Sequence, residues 1–249
     1  MIIIKNQHEI ELMKKAGRIT AEALNLVSKF IKPGVSTFEL DKIIEDSIKK
    51  SGAKPSFLGL YGFPASACIS INNEVIHGIP SKDRLLKEGD IVKIDTGAYY
   101  EGFHGDSAKT FAVGNISENA KKLIDVTREC FYEGLKYAKV GCRIGDIGHA
   151  IEQHAVNNGY TPVRDFVGHG VGHDLHEAPE VPNFGMAGRG IRLQKGMTLA
   201  IEPMINEGKA AVKVLDNEWT VVTRDGKLSA HYEHTIVITD GEPEILTKL

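Results

Sequence analysis

The stretch DTGAYYEGFHGD, residues 95–106, opens on Asp95 and closes on His104 and Asp106, with an interior rich in glycine and aromatic residues, as in a hairpin. Side chains two positions apart on a strand share a face, so His104 and Asp106 would point the same way. Two further acids stand in similar company. Glu202 ends GMTLAIE as Asp95 ends GDIVKID, and Glu233 ends HYE as Asp106 ends HGD. Four carboxylates crowded into a partly dry cleft would repel one another and lose hydration, so a cation must sit among them or their pKa values must rise. No run of Arg or Lys accompanies them. Two divalent ions would set four positive charges against four negative ones, and bridging carboxylates hold such ions about 3.5–4 Å apart. Taken singly, each acid reads as a surface residue or a salt-bridge partner; it is their relation to one another that points to a metal centre.

That relation is an internal repeat. KPGVSTFELDKIIE, residues 32–45, and KVGCRIGDIGHAIE, residues 139–152, match at an offset of 107, and the same offset joins Gly52 to Gly159, Gly89 to Gly196 and Asp95 to Glu202. His77 of HGIP matches His176 of HEAP at an offset of 99, and HGD matches HYE at 127. The repeat predicts two halves, about residues 1–114 and 115–249, each with helices and an antiparallel strand group, facing each other about a pseudo-twofold axis. Asp95 would then meet Glu202, and Asp106 would meet Glu233. An eight-fold β/α barrel, the rival at this length, needs alternating strand and helix units. Here the strands come in uninterrupted hairpin groups.

The elements that must position these residues follow from periodicity. Leu12, Ala16, Ile19, Ala23, Val27, Phe30 and Ile31 keep helical spacing up to Pro33 and Gly34, and a second helix is expected over residues 37–50. Two more are expected around 119–138 and 145–157. Short β-branched runs, ACISI, DIVKID, KTFAV, MTLAIEP, AVKVL, WTVVT and HTIVIT, read as strands. FVGHGVGH, residues 166–173, offers His169 between two glycines, where little bulk obstructs a ligand or a close backbone. Its glycine spacing weakly resembles a phosphate loop, but no Lys-Ser or Lys-Thr follows. A lone histidine is more often structural than a ligand.

Composition is that of an ordinary soluble globular protein: 249 residues, 42% hydrophobic, 25% charged. A net charge of −3 without a basic cluster speaks against nucleic-acid binding. The start, MIIIKNQHEIE, is far short of a signal peptide or membrane span, so a cytoplasmic protein with no membrane partner is expected. Cys68, Cys130 and Cys142 are scattered, suggesting reduced, mostly buried thiols.

Taken together, GFHGDSAKTF, GHGVGHDLHEAP, AIEPMI and NNEVIHGIP resemble the methionine aminopeptidases of peptidase family M24 in their type I, bacterial form. The resemblance runs from the first helix to HYEHTIVIT. It implies the pseudo-symmetric pita-bread fold, an α/β (α+β) architecture with antiparallel sheets and flanking helices, with residues 1–249 as one bare catalytic domain. It lacks the insertion of the type II enzymes and the zinc-binding extension of the eukaryotic type I form. The resemblance implies five ligands, Asp95, Asp106, His169, Glu202 and Glu233, for two divalent ions, for which Mn, Fe(II), Co or Zn would suit. Asp106 and Glu233 would bridge, Asp95 would bind one ion, and His169 with Glu202 the other. The metal-bound hydroxide would attack the first peptide bond.

By the same resemblance Glu202 would shuttle a proton, and His77 and His176 would hydrogen-bond the scissile amide and the tetrahedral centre. The plain alternatives are a turn histidine before Pro80 and a loop cap. The methionine slot would comprise Phe57, Leu60, Phe63, Cys68, Leu175 and Trp219, with Phe57, Leu60 and Leu175 departing from the common pattern and plain core packing expected for some. The implied partner is the N-terminal methionine of nascent polypeptides with a small second residue, met near the ribosome by a monomer. Met1 ahead of Ile2 should itself be a poor substrate. Two other readings are an X-Pro aminopeptidase or creatinase-like enzyme, which usually carries a large N-terminal domain, and a non-catalytic pita-bread protein, which typically loses metal ligands.

Overall fold

The computed structural model describes residues 2–249; Met1, and with it the expectation for the chain's own methionine, lies outside the described residues. The first half contains α1 (Gln7–Ser28), α2 (Thr37–Lys50), β1 (Lys54–Pro55), β2 (Ala67–Ile71), β3 (Glu74–Ile76), β4 (Ile91–Tyr100) and β5 (Phe103–Ala112). The second contains α3 (Glu118–Leu135), α4 (Ile144–Asn157), β6 (Thr161–Pro162), β7 (Gly168–Gly170), β8 (Glu177–Val181), β9 (Thr198–Ile201) and β10 (Met204–Asn206). It continues with β11 (Val212–Val214), β12 (Val221–Thr223), β13 (Ser229–His231), β14 (His234–Val237) and β15 (Glu244–Ile245). All strand pairs are antiparallel, in sheets ordered β1-β4-β2 with β5 on β4, β13-β10-β6, β11-β12-β3 and β15-β14-β9-β7-β8. Among the described residues no helix is long and apolar enough to cross a membrane.

The 107-residue repeat is written into the hydrogen bonding. Lys54–Tyr99 and Pro55–Ala98 recur as Thr161–Asn206 and Pro162–Ile205, and the bridge Ser36–Leu85 recurs as Arg143–Arg192. Gly52 and Gly159, at the ends of α2 and α4, both hold positive φ, 77° and 85°, where a side chain would be strained. The later strands depart from the sequence match: the pairs Ile94–Lys109 and Ile201–His234 relate β5 to β14 by 125 residues, not 127. A slip of two keeps every side chain on its face. Asp106 therefore stands opposite Gly97, diagonal to Asp95, whereas Glu202 and Glu233 fall between the pairs Ile201–His234 and Met204–His231.

α1 stops at Ser28, short of the Ile31 that periodicity suggested. The amides of Phe30 and Ile31 bond only three residues back, to Val27 and Ser28, and Pro33 bars further helix. Phe30 is left exposed. At its other end a capping box of Asn6 and Glu9 starts the helix. α3 and α4 also begin one residue earlier than expected, at Glu118 and Ile144, and α3 ends at Leu135. The run MTLAIEP is broken at Glu202 and Pro203, since Pro203 has no amide to donate. KTFAV is the tail of the longer β5, and Trp219 precedes β12 instead of lying in it.

Each half has its own apolar core. Leu24, Leu40, Ile44, Ile48, Ile69 and Ile94 pack α1 and α2 on the first sheet, and Leu123, Phe131, Ile147, Ile151, Leu199 and Ile236 pack α3 and α4 on the second. α1 lies so close to β5 that a Cβ on Gly105 would stand 2.5 Å from the Gly17 nitrogen. There Thr20 Oγ1 donates to the Gly105 carbonyl (2.8 Å) and accepts from the Ala98 amide (3.0 Å). This fixes the β4–β5 hairpin, which turns at Glu101 and Gly102, with Asp95 and Asp106 on its two arms.

Candidate metal centre and active site

The two halves are stitched where the acids meet. The Asp106 amide donates to Thr235 Oγ1 (3.0 Å), which donates back to the Asp106 carbonyl (2.8 Å). Thr110 Oγ1 does the same with His231, accepting from its amide (2.9 Å) and donating to its carbonyl (2.8 Å). Between them the Glu233 amide donates to the Ala108 carbonyl (2.8 Å) and Ser107 Oγ donates to the Glu233 carbonyl (2.7 Å). The acids are thus set by main-chain positions on both sides of the cleft.

The structure brings Asp95, Asp106, His169, Glu202 and Glu233 to the wall of one cavity of about 380 Å³. Ligand atoms of Asp106, His169 and Glu233 lie within 4.8 Å of one another. His169 Nε2 is 3.4 Å from Glu202 Oε1 and 3.8 Å from Asp106 Oδ2. His169 stands on β7, whose flanking glycines are needed for close backbone packing. A Cβ on Gly168 would lie 2.3 Å from the Ala200 carbonyl oxygen, and one on Gly170 2.4 Å from that of Ala178.

Burial, before any charge effect, pushes all four carboxyls well above the ordinary carboxylate range; the Glu202 charge adds to the shift of Asp95 and the Asp106 charge to those of Glu202 and Glu233. Burial lowers His169 to about 3, with His176 adding to it, so its imidazole is neutral. Its Nδ1 faces the Gly170 carbonyl at 2.8 Å and must carry the proton, which leaves the Nε2 lone pair aimed at carboxylate oxygens. Asp95 Oδ1 and Asp106 Oδ1 are buried without a hydrogen-bond partner, and no Lys or Arg lines the cavity. Lone pairs converge here with nothing to receive them. The donor set, carboxylates and one neutral imidazole with its far nitrogen fixed by a carbonyl, suits divalent metal ions.

His77 and His176 stand on the same cavity wall. His77 has φ 58° and sets its ring edge-on to Phe166 at 5.9 Å; burial, then His176, lowers its pKa to about 4. His176 is exposed, edge-on to His169 at 4.4 Å and stacked on Tyr61 at 5.9 Å. The two rings hold different surroundings, His77 half-buried and His176 open.

Phe57, Leu60, Phe63, Cys68, Leu175 and Trp219 form a single apolar cluster along the cavity, with Phe63 edge-on to Trp219 at 5.1 Å. Cys68 is the cross-strand neighbour of Asp95, and Leu175 precedes His176. Burial, then the charges of Asp95 and Asp106, pushes the Cys68 thiol far up, so it is an apolar wall and no nucleophile. None of the three cysteines is in a disulfide.

His104, in the motif that began the reading, is not part of the cluster. Its Nδ1 pairs with Ser56 Oγ at 2.8 Å, its ring lies 4.6 Å from Tyr99, and it does not line the cavity. Three residues were missed by sequence reasoning. Tyr61, 76% exposed with φ 50°, projects at the rim, and Phe166 backs His77. His231, 1% exposed, sits with Nε2 3.5 Å from Glu202 Oε2 and neither ring nitrogen hydrogen-bonded. The only sequence signal for His231 was its place two residues before Glu233, on the same strand face.

Two antiparallel halves meeting at a carboxylate-rich metal centre define a pita-bread metallohydrolase. Comparison with known proteins agrees: the model of metallopeptidase family M24 matches residues 11–240. A methionine aminopeptidase of Clostridium perfringens is 59% identical over 247 residues, covering 99% of both chains, and methionine aminopeptidase 1 of Bacillus subtilis is 53% identical over the full length of both. The crystal structure of a methionine aminopeptidase from Thermotoga maritima superposes with a TM-score of 0.99 at 48% identity, covering 100% of each chain. A prolidase from Pyrococcus furiosus shares the fold at a TM-score of 0.80 and 26% identity, covering 99% of this chain and 66% of that one. The chain belongs to metallopeptidase family M24, in its methionine aminopeptidase branch.

Proposed function

We propose that this enzyme removes the N-terminal methionine from peptides and nascent proteins whose second residue is small, using two divalent ions. The observation that carries the reading is adjacency: the apolar slot ends at Cys68 and Leu175, one strand pair from Asp95 and one residue from His176. A single unbranched apolar side chain in that slot would place the first peptide bond over the carboxylates. Crowding at the rim by Tyr61, Phe166 and His77 would favour a small second residue.

Asp95, Asp106, His169, Glu202 and Glu233 would together hold the two ions. When bound, the pair supplies a water acidic enough to serve as nucleophile near neutral pH and a Lewis acid for the scissile carbonyl. Glu202 would take the proton released from that water and pass it to the leaving amine as the C–N bond breaks. His77, neutral and half-buried, would meet the scissile amide, and His176 would donate to the developing oxyanion. Phe57, Leu60, Phe63 and Trp219 would exclude water from the thioether. The same reading has the chain working as a monomer in the cytoplasm, on polypeptides emerging from the ribosome.

The test is methionine release from Met-Ala-Ser, Met-Ile-Ser and Ala-Pro-Ser by metal-stripped protein, before and after adding Mn(II) or Co(II). Metal-dependent release from Met-Ala-Ser, with little from Met-Ile-Ser, is expected. Cleavage of Ala-Pro-Ser alone would move the chain to the prolidase-like relatives, and no cleavage with either metal would overturn the reading.

A further inference from the structure

Beneath the carboxylate cluster lies a cation that the proposed chemistry does not use. Lys93 is 1% exposed, the largest fully buried side chain in the protein. Lysines are almost never so buried unless paired, yet among the described residues no carboxylate lies within ion-pair distance of Lys93. Glu74, the nearest acid by its influence, is already engaged by Arg84 and by the Ile71 amide. The Lys93 ammonium donates instead to two main-chain carbonyls, Asn72 (2.7 Å) and Ser229 (3.0 Å).

Those partners come from three segments that carry the site. Lys93 is two residues before Asp95 on β4, on the same strand face. Asn72, with φ 53°, forms the turn between β2, which bears Cys68, and β3, which leads into His77. Ser229 opens β13 on the other half of the molecule, four residues before Glu233, and its amide also donates to the Asn72 carbonyl (3.1 Å). Asn72 is in turn held to β4 by its side chain, which accepts from the Ile91 amide and donates to Asp90. One ammonium thus ties Asp95, the His77 segment and the strand to Glu233 across the interface of the halves.

We propose that Lys93 is a positioning residue for the metal centre: by clamping the Asn72 and Ser229 carbonyls it sets the separation of Asp95 from Glu233 across the cleft. This rests on the metal-centre reading above. A neutral side chain of the same length would fill the space but leave the Ser229 carbonyl unpaired, with only the bond from the Ser229 amide to the Asn72 carbonyl still joining the two segments there. Supporting residues of this kind typically change metal affinity by about 10- to 100-fold.

The experiment compares Mn(II) or Co(II) binding by calorimetry in metal-stripped wild type, Lys93→Met and Lys93→Ala, all below their unfolding transitions. Lys93→Met should bind about 10- to 100-fold more weakly. In Lys93→Ala, added ethylammonium should restore part of that affinity, while tetramethylammonium, which cannot donate, should not. Affinity in both variants equal to wild type would overturn the proposal, as would equal effects of the two ammonium ions. If neither variant folds, wild type labelled with 15N at lysine Nζ decides: a protected ammonium resonance should shift when diamagnetic Zn(II) is added, and an unmoved one overturns the proposal. Failure of wild type itself to bind divalent ions would instead overturn the metal-centre reading.

Discussion

Glu233→Gln separates the cost of the carboxylate cluster from its use. In the metal-free protein the folded pKa of Glu233 is raised well above its unfolded value, first by burial and then by the charges of Asp106, Glu202 and Asp95. The stability it contributes is fully present below the unfolded pKa, near 4.3, and is lost as pH rises toward the folded value. Each pH unit across that window removes about 1.4 kcal/mol per proton retained by the fold. For a chain of 249 residues, where about 1 kcal/mol moves Tm by about 2–4 °C, this is about 3–6 °C per pH unit. Glutamine keeps the shape and never pays that cost, so metal-free Glu233→Gln should melt above metal-free wild type, by a margin that widens from about pH 5 to neutrality.

Adding metal should reverse the order. At about 100 times its Kd a ligand stabilises by about 2.7 kcal/mol, hence about 5–10 °C for wild type, and the variant with a neutral amide in place of the Glu233 carboxylate should gain little. Melting curves of both proteins across that pH range, with and without Mn(II), make the measurement. Comparing the two at each pH cancels the buried histidines and Lys93, which titrate in both. The reasoning is refuted if metal-free Glu233→Gln melts below wild type at neutral pH, or if metal stabilises both alike.

Three further outcomes are expected. His77→Ala and His176→Ala should each lower kcat by about 10²–10³ with divalent binding by calorimetry unchanged, if they act on substrate and not on the ions as proposed. Leu175→Ala should cost about 10- to 200-fold in kcat/KM on Met-Ala-Ser through lost apolar contact, again with intact metal binding. Gly105→Ala should lower stability in urea by about 1–3 kcal/mol, since its Cβ would meet the Gly17 nitrogen of α1 at 2.5 Å, backbone that cannot step aside cheaply.

The repeat was legible because it is carried by residues whose backbone roles leave few substitutes. Gly52 and Gly159 need positive φ, and Asp95 within β4 and Glu202 just past β9 follow matching strand starts. α2 and α4, β1 and β6, and the starts of β4 and β9 all fall at the offset of 107 that these residues announced. The slip from 127 to 125 was not legible, because HGD and HYE match as strings while register is decided by pairing across the sheet. His104 was misleading for a related reason: face alternation places a side chain on a side, but Ser56 on a neighbouring segment takes its ring. Tyr61 and Phe166 carry no motif. Their place at the rim follows from a left-handed turn at Tyr61 and from the fold bringing Phe166 under His77, neither of which local periodicity encodes.

Neither half holds the whole cluster of acids and imidazole. Asp95 and Asp106 belong to the first, and His169, Glu202 and Glu233 to the second. The bonds that join the halves at this level, Thr235 to Asp106, Thr110 to His231, Ser107 to Glu233 and Lys93 to Ser229, all run from a side chain to a main-chain carbonyl, two of them at a cluster acid and two on the strand that leads into Glu233. Repulsion among four acids acts on side-chain ends, whereas these stitches act on the backbone behind them. The cluster can therefore be held in a shape that favours cations over its own relaxation, and the strain is borne by protonation instead of by separation of the halves. Duplication supplies the economy of this arrangement: two similar strand groups facing each other bring acids together from opposite sides, and a slip of two residues places Glu233 across from Glu202 while leaving Asp106 diagonal to Asp95. The unequal spacing that results, with longer glutamates on one side and shorter aspartates on the other, gives the centre an asymmetry that the repeat alone would not, and His169 enters on the glutamate side, 3.4 Å from Glu202.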